Sequence, residues 1–209
     1  MFNLFRVVTR DGRIFRWPKT GPEFQKFSKI PRLNREIIIT EKIDGTNAQV
    51  YITEDGRVFA GSRKRWLTPE HDNYGFAAWV KEHEDELKQL GPGRHYGEWW
   101  GKKINRGYDL DHRRFSLFNV SRWANIGNLR LDEKQQYTPT CCRVVPILGS
   151  YSFFDTHYIG GIMHELNIKG SRAASGYMKP EGIVILHKAA GQLFKVTFES
   201  DEKPKGEQR

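Results

Sequence analysis

The sequence is poor in cysteine. Its 209 residues include only two, Cys141 and Cys142, which are adjacent in the chain. Vicinal cysteines rarely bridge each other, and no CxxC or His/Cys ligand spacing occurs near them, so a disulfide scaffold and a zinc site are both disfavoured. We therefore predict two reduced thiols in or beside a β-strand.

Long apolar runs, internal repeats and low-complexity tracts are also missing. No segment approaches the roughly 20 apolar residues that span a bilayer, and the start, MFNLFRVVTRDGR, is too polar for a signal peptide. These absences disfavour a helical membrane protein and predict a cytoplasmic one. With 38% hydrophobic and 13% aromatic residues, the composition suits a globular protein that buries a substantial core.

Acidic residues are outnumbered by basic ones. Lys and Arg total 34 against 25 Asp and Glu, which gives a net charge of +9. A basic excess of this size is compatible with binding a polyanion such as a nucleic acid. Because the same excess also serves plain solubility, charge alone does not decide the function.

Short β-branched runs and tight turns dominate the pattern. Residues 35–40 are typical of a buried strand, and Asp55-Gly56 between two alternating runs indicates a hairpin of strands 47–53 and 57–61. Hairpins rather than βαβ units predict an α+β fold of mainly antiparallel sheets with flanking helices. The further expected elements are strands 95–100, 114–120, 143–148, 182–187 and 192–198, and helices 74–90 and 155–166.

Polar residues follow the buried strand directly, in the order Glu-Lys-Ile-Asp-Gly-Thr-Asn over 41–47. Lys42 would emerge from the core edge into a turn that Gly45 makes possible. A nucleophilic lysine needs its pKa lowered from about 10.4 toward neutrality, which requires about 4 kcal/mol from desolvation and nearby cations. Lys-x-Asp-Gly also arises by chance in about one chain in twenty of this length, so a surface lysine beside a turn remains an alternative.

Five further short motifs follow in a fixed order: Ser-Arg, Gly-Glu, an aromatic Phe, Glu-Gly and Lys. With Lys-x-Asp-Gly they resemble the collinear motifs of covalent nucleotidyltransferases, which include ATP-dependent RNA ligases, DNA ligases and mRNA capping enzymes. The Glu-Lys-x-Asp-Gly-Thr-Asn form looks most like the RNA ligase branch of phages and of RNA editing and repair. The resemblance implies one ATP-grasp-like adenylation domain over residues 1–199. The polar composition of residues 200–209 predicts a disordered tail.

The resemblance implies a role for each matching residue. Lys42 would attack the α-phosphorus of ATP and carry AMP, with Glu41 and Asn47 also binding the nucleotide. Arg63 would contact the nucleotide sugar and the reacting strand end. Glu98 would hold the ribose hydroxyls or the water shell of a metal.

The later motifs complete the implied site. Phe118 would stack on adenine, and Lys195 would neutralise the α-phosphate as charge builds there. Asp44, Glu98 and Glu181 would surround one Mg²⁺ or Mn²⁺, acting through water because Mg²⁺ keeps several waters. ATP and a divalent metal are therefore the expected cofactors.

A structural or solvent-exposed role remains an alternative for several of these residues. Arg63, Lys64 and Arg65 are candidate nucleic-acid contacts, yet a solvated basic run has the same composition. An unpaired buried Glu98 would be costly, so a structural salt bridge is an alternative role for it. A lone Phe in a strand, such as Phe118, more often packs in a core.

Two features depart from the family pattern. The last motif carries Thr197 where a second lysine is usual, with Lys188 as a candidate replacement, and only residues 199–209 follow it. We therefore expect a bare nucleotidyltransferase core without a C-terminal domain. The expected function is sealing of 5′-phosphate and 3′-hydroxyl RNA ends or nicks; a minimal DNA ligase and a non-catalytic nucleic-acid-binding module are the alternatives, and a capping guanylyltransferase is less favoured.

Overall fold

The computed structural model describes residues 4–8, 10–18, 24–123 and 139–199. The chain divides into two compact units, residues 1–31 and residues 32–209. In the first unit, strands β1 (Leu4–Val8) and β2 (Ile14–Pro18) form an antiparallel pair. The tail expected at 200–209 lies outside the described residues, and the single domain expected over 1–199 stays a prediction.

The second unit contains two sheets. Its strands are β3 (Ile37–Lys42), β4 (Thr46–Ile52), β5 (Val58–Ser62), β6 (Trp66–Leu67), β7 (Gly93–Gly101), β8 (Arg113–Leu117), β9 (Cys142–Val144), β10 (Ile147–Tyr151), β11 (Gly182–His187) and β12 (Gln192–Thr197). The four-stranded sheet has the order β10-β3-β11-β12, and the six-stranded sheet has the order β6-β5-β4-β7-β8-β9. Among the described strands only β8 and β9 pair in parallel, which confirms the predicted α+β fold with mainly antiparallel sheets.

Helices flank these sheets. They are α1 (Phe76–Glu82), α2 (Glu84–Leu87), α3 (Val120–Trp123) and α4 (Thr156–Lys169), with 3₁₀ turns at Lys88–Leu90 and Gly107–Asp109. The prediction of α4 is confirmed, and Asp155 caps it by accepting a hydrogen bond from the N–H of His157. None of the helices in the described segments is long and apolar enough to cross a membrane.

The single helix expected over 74–90 is wrong, because the chain leaves the helical conformation at His83 (φ −103°, ψ 19°). There the His83 Nδ1–H donates to the carbonyl oxygen of Trp79 at 3.0 Å, and the two rings stack 4.9 Å apart. The backbone N–H of His83 donates to the same carbonyl oxygen at 3.0 Å. The apolar side of the broken segment still packs on the six-stranded sheet, through Phe76, Val80 and Leu87.

β3 is buried on both of its faces, as the sequence predicted, and Ile37, Ile38 and Ile39 are inaccessible to solvent. Successive side chains of a strand point to opposite faces. Ile37 and Ile39 therefore pack in one cluster with α4 and β11, whereas Ile38 packs in another with Trp100 of β7. The Ile38 face of the four-stranded sheet is thus turned toward the six-stranded sheet.

The cysteine prediction is confirmed. Cys141 and Cys142 are thiols, and Cys142 begins β9.

Candidate active site

Lys42 is the last residue of β3. β11 lies between β3 and β12, so that Lys42, Gly182 and Thr197 form one row across three strands. Lys195 occupies the next cleft-facing position of β12, opposite Val184. By strand alternation, both lysines lie on the face that is turned toward the six-stranded sheet.

Gly182 is required by the close approach of its neighbours. Its φ is +154°, and a Cβ there would meet the carbonyl oxygen of Val196 at 2.1 Å. The glycine therefore lets β12 pair closely with β11 beside Lys42. β11 begins at Gly182, so the Glu181 carboxylate lies at the start of this strand.

Lys42 and Glu181 form an ion pair. Lys42 Nζ lies 2.5 Å from Glu181 Oε1, and the two side chains are 24% and 18% exposed. Within the described part of the chain, Glu181 Oε2 is buried and has no hydrogen-bond partner. A buried acceptor without a donor is costly in a protein, so this oxygen is available to a ligand.

Glu98 of β7 reaches the same site from the six-stranded sheet. Its Oε1 accepts a hydrogen bond from the N–H of Gly45 at 3.1 Å and its Oε2 accepts one from Asn47 Nδ2 at 3.2 Å. Burial raises the pKa of Glu98 to about 7, opposed by the charge of Lys42 and by the Gly45 hydrogen bond, and increased by the charge of Glu181. Glu98 therefore holds the turn after Lys42 and is in electrostatic contact with both members of the ion pair.

Asp44, in the turn between β3 and β4, is held by a segment that the sequence analysis did not assign to the site. Asn105 Nδ2 donates to Asp44 Oδ1 at 2.8 Å and to the carbonyl oxygen of Gly45 at 2.6 Å. Arg106 Nε lies 3.2 Å from Asp44 Oδ2 as an ion pair, although its N–H is not aligned for a hydrogen bond. The N–H of Asp44 donates to Tyr108 Oη at 2.8 Å.

The segment that clamps Asp44 has an unusual backbone. Lys103, Asn105, Tyr108 and Asp109 all have positive φ, between 44° and 61°. Each such non-glycine residue costs of order 1–3 kcal/mol and persists only where its surroundings hold it. The sequence carries one sign of this backbone: residues 102–109, Lys-Lys-Ile-Asn-Arg-Gly-Tyr-Asp, cluster Asn, Asp and Gly. Among non-glycine residues, Asn and Asp tolerate positive φ best.

The three carboxylates predicted to surround a metal are therefore gathered around the turn after β3, but each already has protein contacts. Within the described residues, no group of three or more His, Cys, Asp or Glu side chains is positioned to hold a metal ion directly. The prediction had these carboxylates acting through water, and it remains a prediction.

Glu41 is held by a different part of the chain. It is 1% exposed, its Oε1 accepts from Ser171 Oγ at 2.5 Å, and its Oε2 accepts from the N–H groups of Arg172 and Ala173 at 2.8 and 2.9 Å. Burial raises the pKa of Glu41, and these hydrogen bonds oppose the rise. The side chain thus organises the loop after α4, and its contact with a nucleotide remains a prediction.

Phe118 lies just beyond β8, which ends at Leu117 rather than at the predicted residue 120. Its ring is 41% exposed, and its N–H donates to the carbonyl oxygen of Tyr96 at 2.9 Å. Ser116, two residues earlier, lies opposite Glu98. The exposure of Phe118, two residues beyond the partner of Glu98, is compatible with stacking on a base, which remains a prediction.

The basic run lies in the turn between β5 and β6. Arg63 and Lys64 are exposed. Arg65 is tied to the protein, because its Nη1 donates to the carbonyl oxygen of His71 at 2.7 Å and its Nη2 to that of Asp72 at 3.3 Å. Arg65 therefore fixes a neighbouring loop, and the predicted nucleic-acid contact fits Arg63 and Lys64 better.

The two facing sheets, with Lys42 at the end of the interior strand β3, form a nucleotidyltransferase-like fold of the RNA ligase type. The RNA ligase family model matches residues 35–197. The chain therefore belongs to the RNA ligase family. A search of curated protein sequences found no match.

Solved structures of similar fold come from Naegleria gruberi. One RNA ligase variant with ATP and Mn has 19% identity and a TM-score of 0.55, with 78% of this chain and 50% of that chain covered. A variant with AMP and Mn also has 19% identity and a TM-score of 0.55, covering 79% and 50%. An apo variant has 15% identity and a TM-score of 0.55, covering 93% and 74%. The chain thus spans about half the length of the first two.

Proposed function

We propose that this protein is an ATP-dependent RNA ligase that joins a 5′-phosphate to a 3′-hydroxyl through AMP carried on Lys42. The observation that carries the proposal is the position of the Lys42 amine. It ends a fully buried strand, pairs with Glu181 at 2.5 Å and is mostly shielded from solvent, with Glu98 beside it. Membership of the RNA ligase family supports the reaction class.

The reaction has three transfers at phosphorus. Lys42 Nζ loses a proton and attacks the α-phosphorus of ATP, forming an N–P bond while the bond to pyrophosphate breaks. An oxygen of the RNA 5′-phosphate then attacks the same phosphorus, which frees Lys42 and leaves AMP on the strand end. The 3′-hydroxyl finally attacks the 5′-phosphorus, and AMP leaves as the new phosphodiester forms.

The protein groups have distinct tasks in this scheme. Glu181 Oε1 is the acceptor within hydrogen-bond reach of the Lys42 proton, so it is placed to receive that proton as attack begins. Glu98 holds the turn that aims Lys42. Lys195 lies on the same face of the sheet as Lys42 and supplies positive charge for the phosphates.

The site fits a hydrated divalent cation, because the buried Glu181 Oε2 has no partner among the described residues and can accept from a metal-bound water. Asp44, Glu98 and Glu181 would hold Mg²⁺ or Mn²⁺ in this way. When bound, such an ion offsets the negative charge of the triphosphate and of the developing transition state. The presence of Mn with ATP or AMP in the Naegleria enzymes supports this assignment.

Covalent labelling tests the proposal. Incubation with ATP labelled at the α-phosphate and Mg²⁺ should attach one AMP to the wild-type protein and none to Lys42→Ala. Lys169→Ala is the matched control, because Lys169 also pairs with a glutamate, Glu165 at 2.8 Å, but lies on the exposed side of α4. An AMP adduct that persists in Lys42→Ala would contradict the role of Lys42.

A minimal DNA ligase is the second candidate, and it shares every step above. Nicked duplexes that differ only in the sugar at the 3′ side of the nick separate the two, since the 2′-hydroxyl is what distinguishes RNA from DNA locally. A non-catalytic binding module would instead show salt-sensitive nucleic-acid binding with no adduct at all.

A further inference from the structure

One face of the six-stranded sheet continues from the candidate active site to an exposed edge. Side chains on one face alternate along each strand, and the pairing of β4 with β7 sets their order. Asn47 lies opposite Glu98 within the site, followed by Gln49 opposite Tyr96 and then by Tyr51 opposite Arg94. Arg94 and Glu98 are four positions apart in β7, a distance of about 13 Å along the strand.

The far end of this face carries an aromatic platform, defined as Tyr51, Phe59 and Trp66 with Arg94. The three ring centroids lie 5.9–6.3 Å apart. Phe59 and Trp66 are 40% and 47% exposed. The Arg94 guanidinium lies 4.6 Å from the centroid of Tyr51 and 5.3 Å from that of Trp66.

The platform is not required to complete a core. On the opposite face of the same strands, Val50, Ile52 and Ala60 are buried against α1. The hairpin is therefore already packed on a hydrophobic core on that side. Cross-strand aromatic pairs contribute only about 0.2–1 kcal/mol each to a sheet. Two exposed rings and a half-buried one beside an ordered arginine are instead typical of surfaces on which nucleic-acid bases stack.

Charge and contacts connect the platform to the site. Arg63 and Lys64, both exposed, lie in the turn that leads into Trp66, and the chain carries a net charge of +9. Arg94 Nη1 donates to Gln49 Oε1 at 3.0 Å, which orders the arginine against the strand that also carries Asn47. A polyanion leaving the active site along this face would meet positive charge and aromatic rings together.

We propose that the aromatic platform binds unpaired nucleotides of the RNA strand whose end is joined at Lys42. The proposal rests on the RNA ligase function above and adds a substrate preference to it: a ligatable end with a single-stranded extension binds more tightly than a blunt duplex. Stacking requires free base faces, which a duplex offers only at its ends. The occupant is therefore single-stranded RNA, and a protein partner is the competing outcome.

Binding of a short 5′-phosphorylated single-stranded RNA, followed by fluorescence anisotropy without ATP, tests the platform. Trp66→Ala should raise the dissociation constant roughly 5- to 140-fold, the range that corresponds to 1–3 kcal/mol per stacked base. Trp66→Phe should restore most of the affinity, because it keeps a ring. Phe153→Ala is the matched control, since Phe153 is 39% exposed and contacts the Tyr158 ring of α4 instead.

Salt dependence and duplex binding separate stacking from charge. Trp66→Ala should leave the slope of log affinity against log salt unchanged, whereas Lys64→Ala should reduce it by about 0.7, the value for one phosphate contact on a single strand. A blunt duplex should bind Trp66→Ala and the wild type equally. The proposal would be overturned if Trp66→Ala lost affinity equally for the duplex and the single strand, or if it bound single strands like the wild type. An equal loss of affinity in Phe153→Ala would overturn it as well.

Failure of the platform and failure of the ligase function give different results. AMP attachment to Lys42 needs only ATP, so Trp66→Ala should be labelled like the wild type. A wild type that binds single strands through Trp66 but takes no AMP would refute the ligase function and leave the platform standing. If Trp66→Ala does not fold, judged by its thermal unfolding, Phe59→Ala and Arg94→Ala carry the same test, because each removes one member of the cluster.

Discussion

Replacing Glu98 by glutamine is expected to remove a pH-dependent cost to stability. The pKa of this buried carboxyl rises from an ordinary value of 4.5 to about 7, chiefly through desolvation. The folded protein therefore binds this proton more tightly than the unfolded chain does. Stability is consequently highest below about pH 4.5 with respect to this group, and it falls as the pH rises toward and through 7.

The shift sets the size of the effect. A rise from 4.5 to about 7 corresponds to about 3 kcal/mol, of which about 2–3 kcal/mol falls between pH 5 and pH 8. Glu98→Gln cannot ionise, so its free energy of unfolding relative to the wild type should increase by that amount over this pH range. Any loss of packing or hydrogen bonding in Glu98→Gln changes its free energy of unfolding by the same amount at pH 5 and at pH 8. It therefore does not alter the expected change with pH.

Urea unfolding of both proteins at intervals between pH 5 and pH 8 measures this difference. Glu54→Gln, which changes an exposed carboxylate in the β4–β5 turn, is the control and should show a much smaller change with pH. A Glu98→Gln difference that is constant across the range would refute the reasoning, as would one that changes in the opposite direction.

Two further predictions concern the frame of the site. Gly182→Ala should lower the free energy of unfolding by more than about 2 kcal/mol in thermal or urea unfolding, because its Cβ would meet a backbone oxygen at 2.1 Å. Gly160→Ala is the control: its Cβ would meet nothing within 4 Å in α4, so it should raise the free energy of unfolding by about 0.5–1 kcal/mol. Equal effects of the two substitutions would contradict this view. Asn105→Gly keeps the positive φ but removes both hydrogen bonds to the Asp44 turn. AMP attachment should therefore slow at least severalfold, while circular dichroism shows the secondary structure retained. An unchanged rate would show that Asn105 does not help to position Lys42.

Much of the fold was readable from local pattern. The β-branched run before Lys42 and the Asp55-Gly56 turn act on their own neighbours, so β3, β4 and β5 were predicted close to their observed bounds. The helix at 74–90 was misjudged because its apolar spacing does not report the conformation of His83. Periodicity indicates which face is buried, and it does not show at which residue the backbone leaves the helical dihedral angles.

The candidate site was only partly readable. Six motifs in a fixed order identified Lys42, Glu98 and Glu181, and the structure brings these three together. The sequence did not indicate that Asn105 and Arg106 hold Asp44, because these contacts span about 60 residues and depend on a backbone with positive φ.

The sequence by itself determined the nucleophile candidate, the strands that present it and the family, since short motifs and alternating patterns are written in neighbouring residues. Only the tertiary structure decided which carboxylate pairs with Lys42, because that bond joins residues 139 positions apart through the register of β11 against β3. The same holds for the raised pKa of Glu98 and for the aromatic platform. Burial and cross-strand proximity are properties of the assembled sheets, and no local segment encodes them.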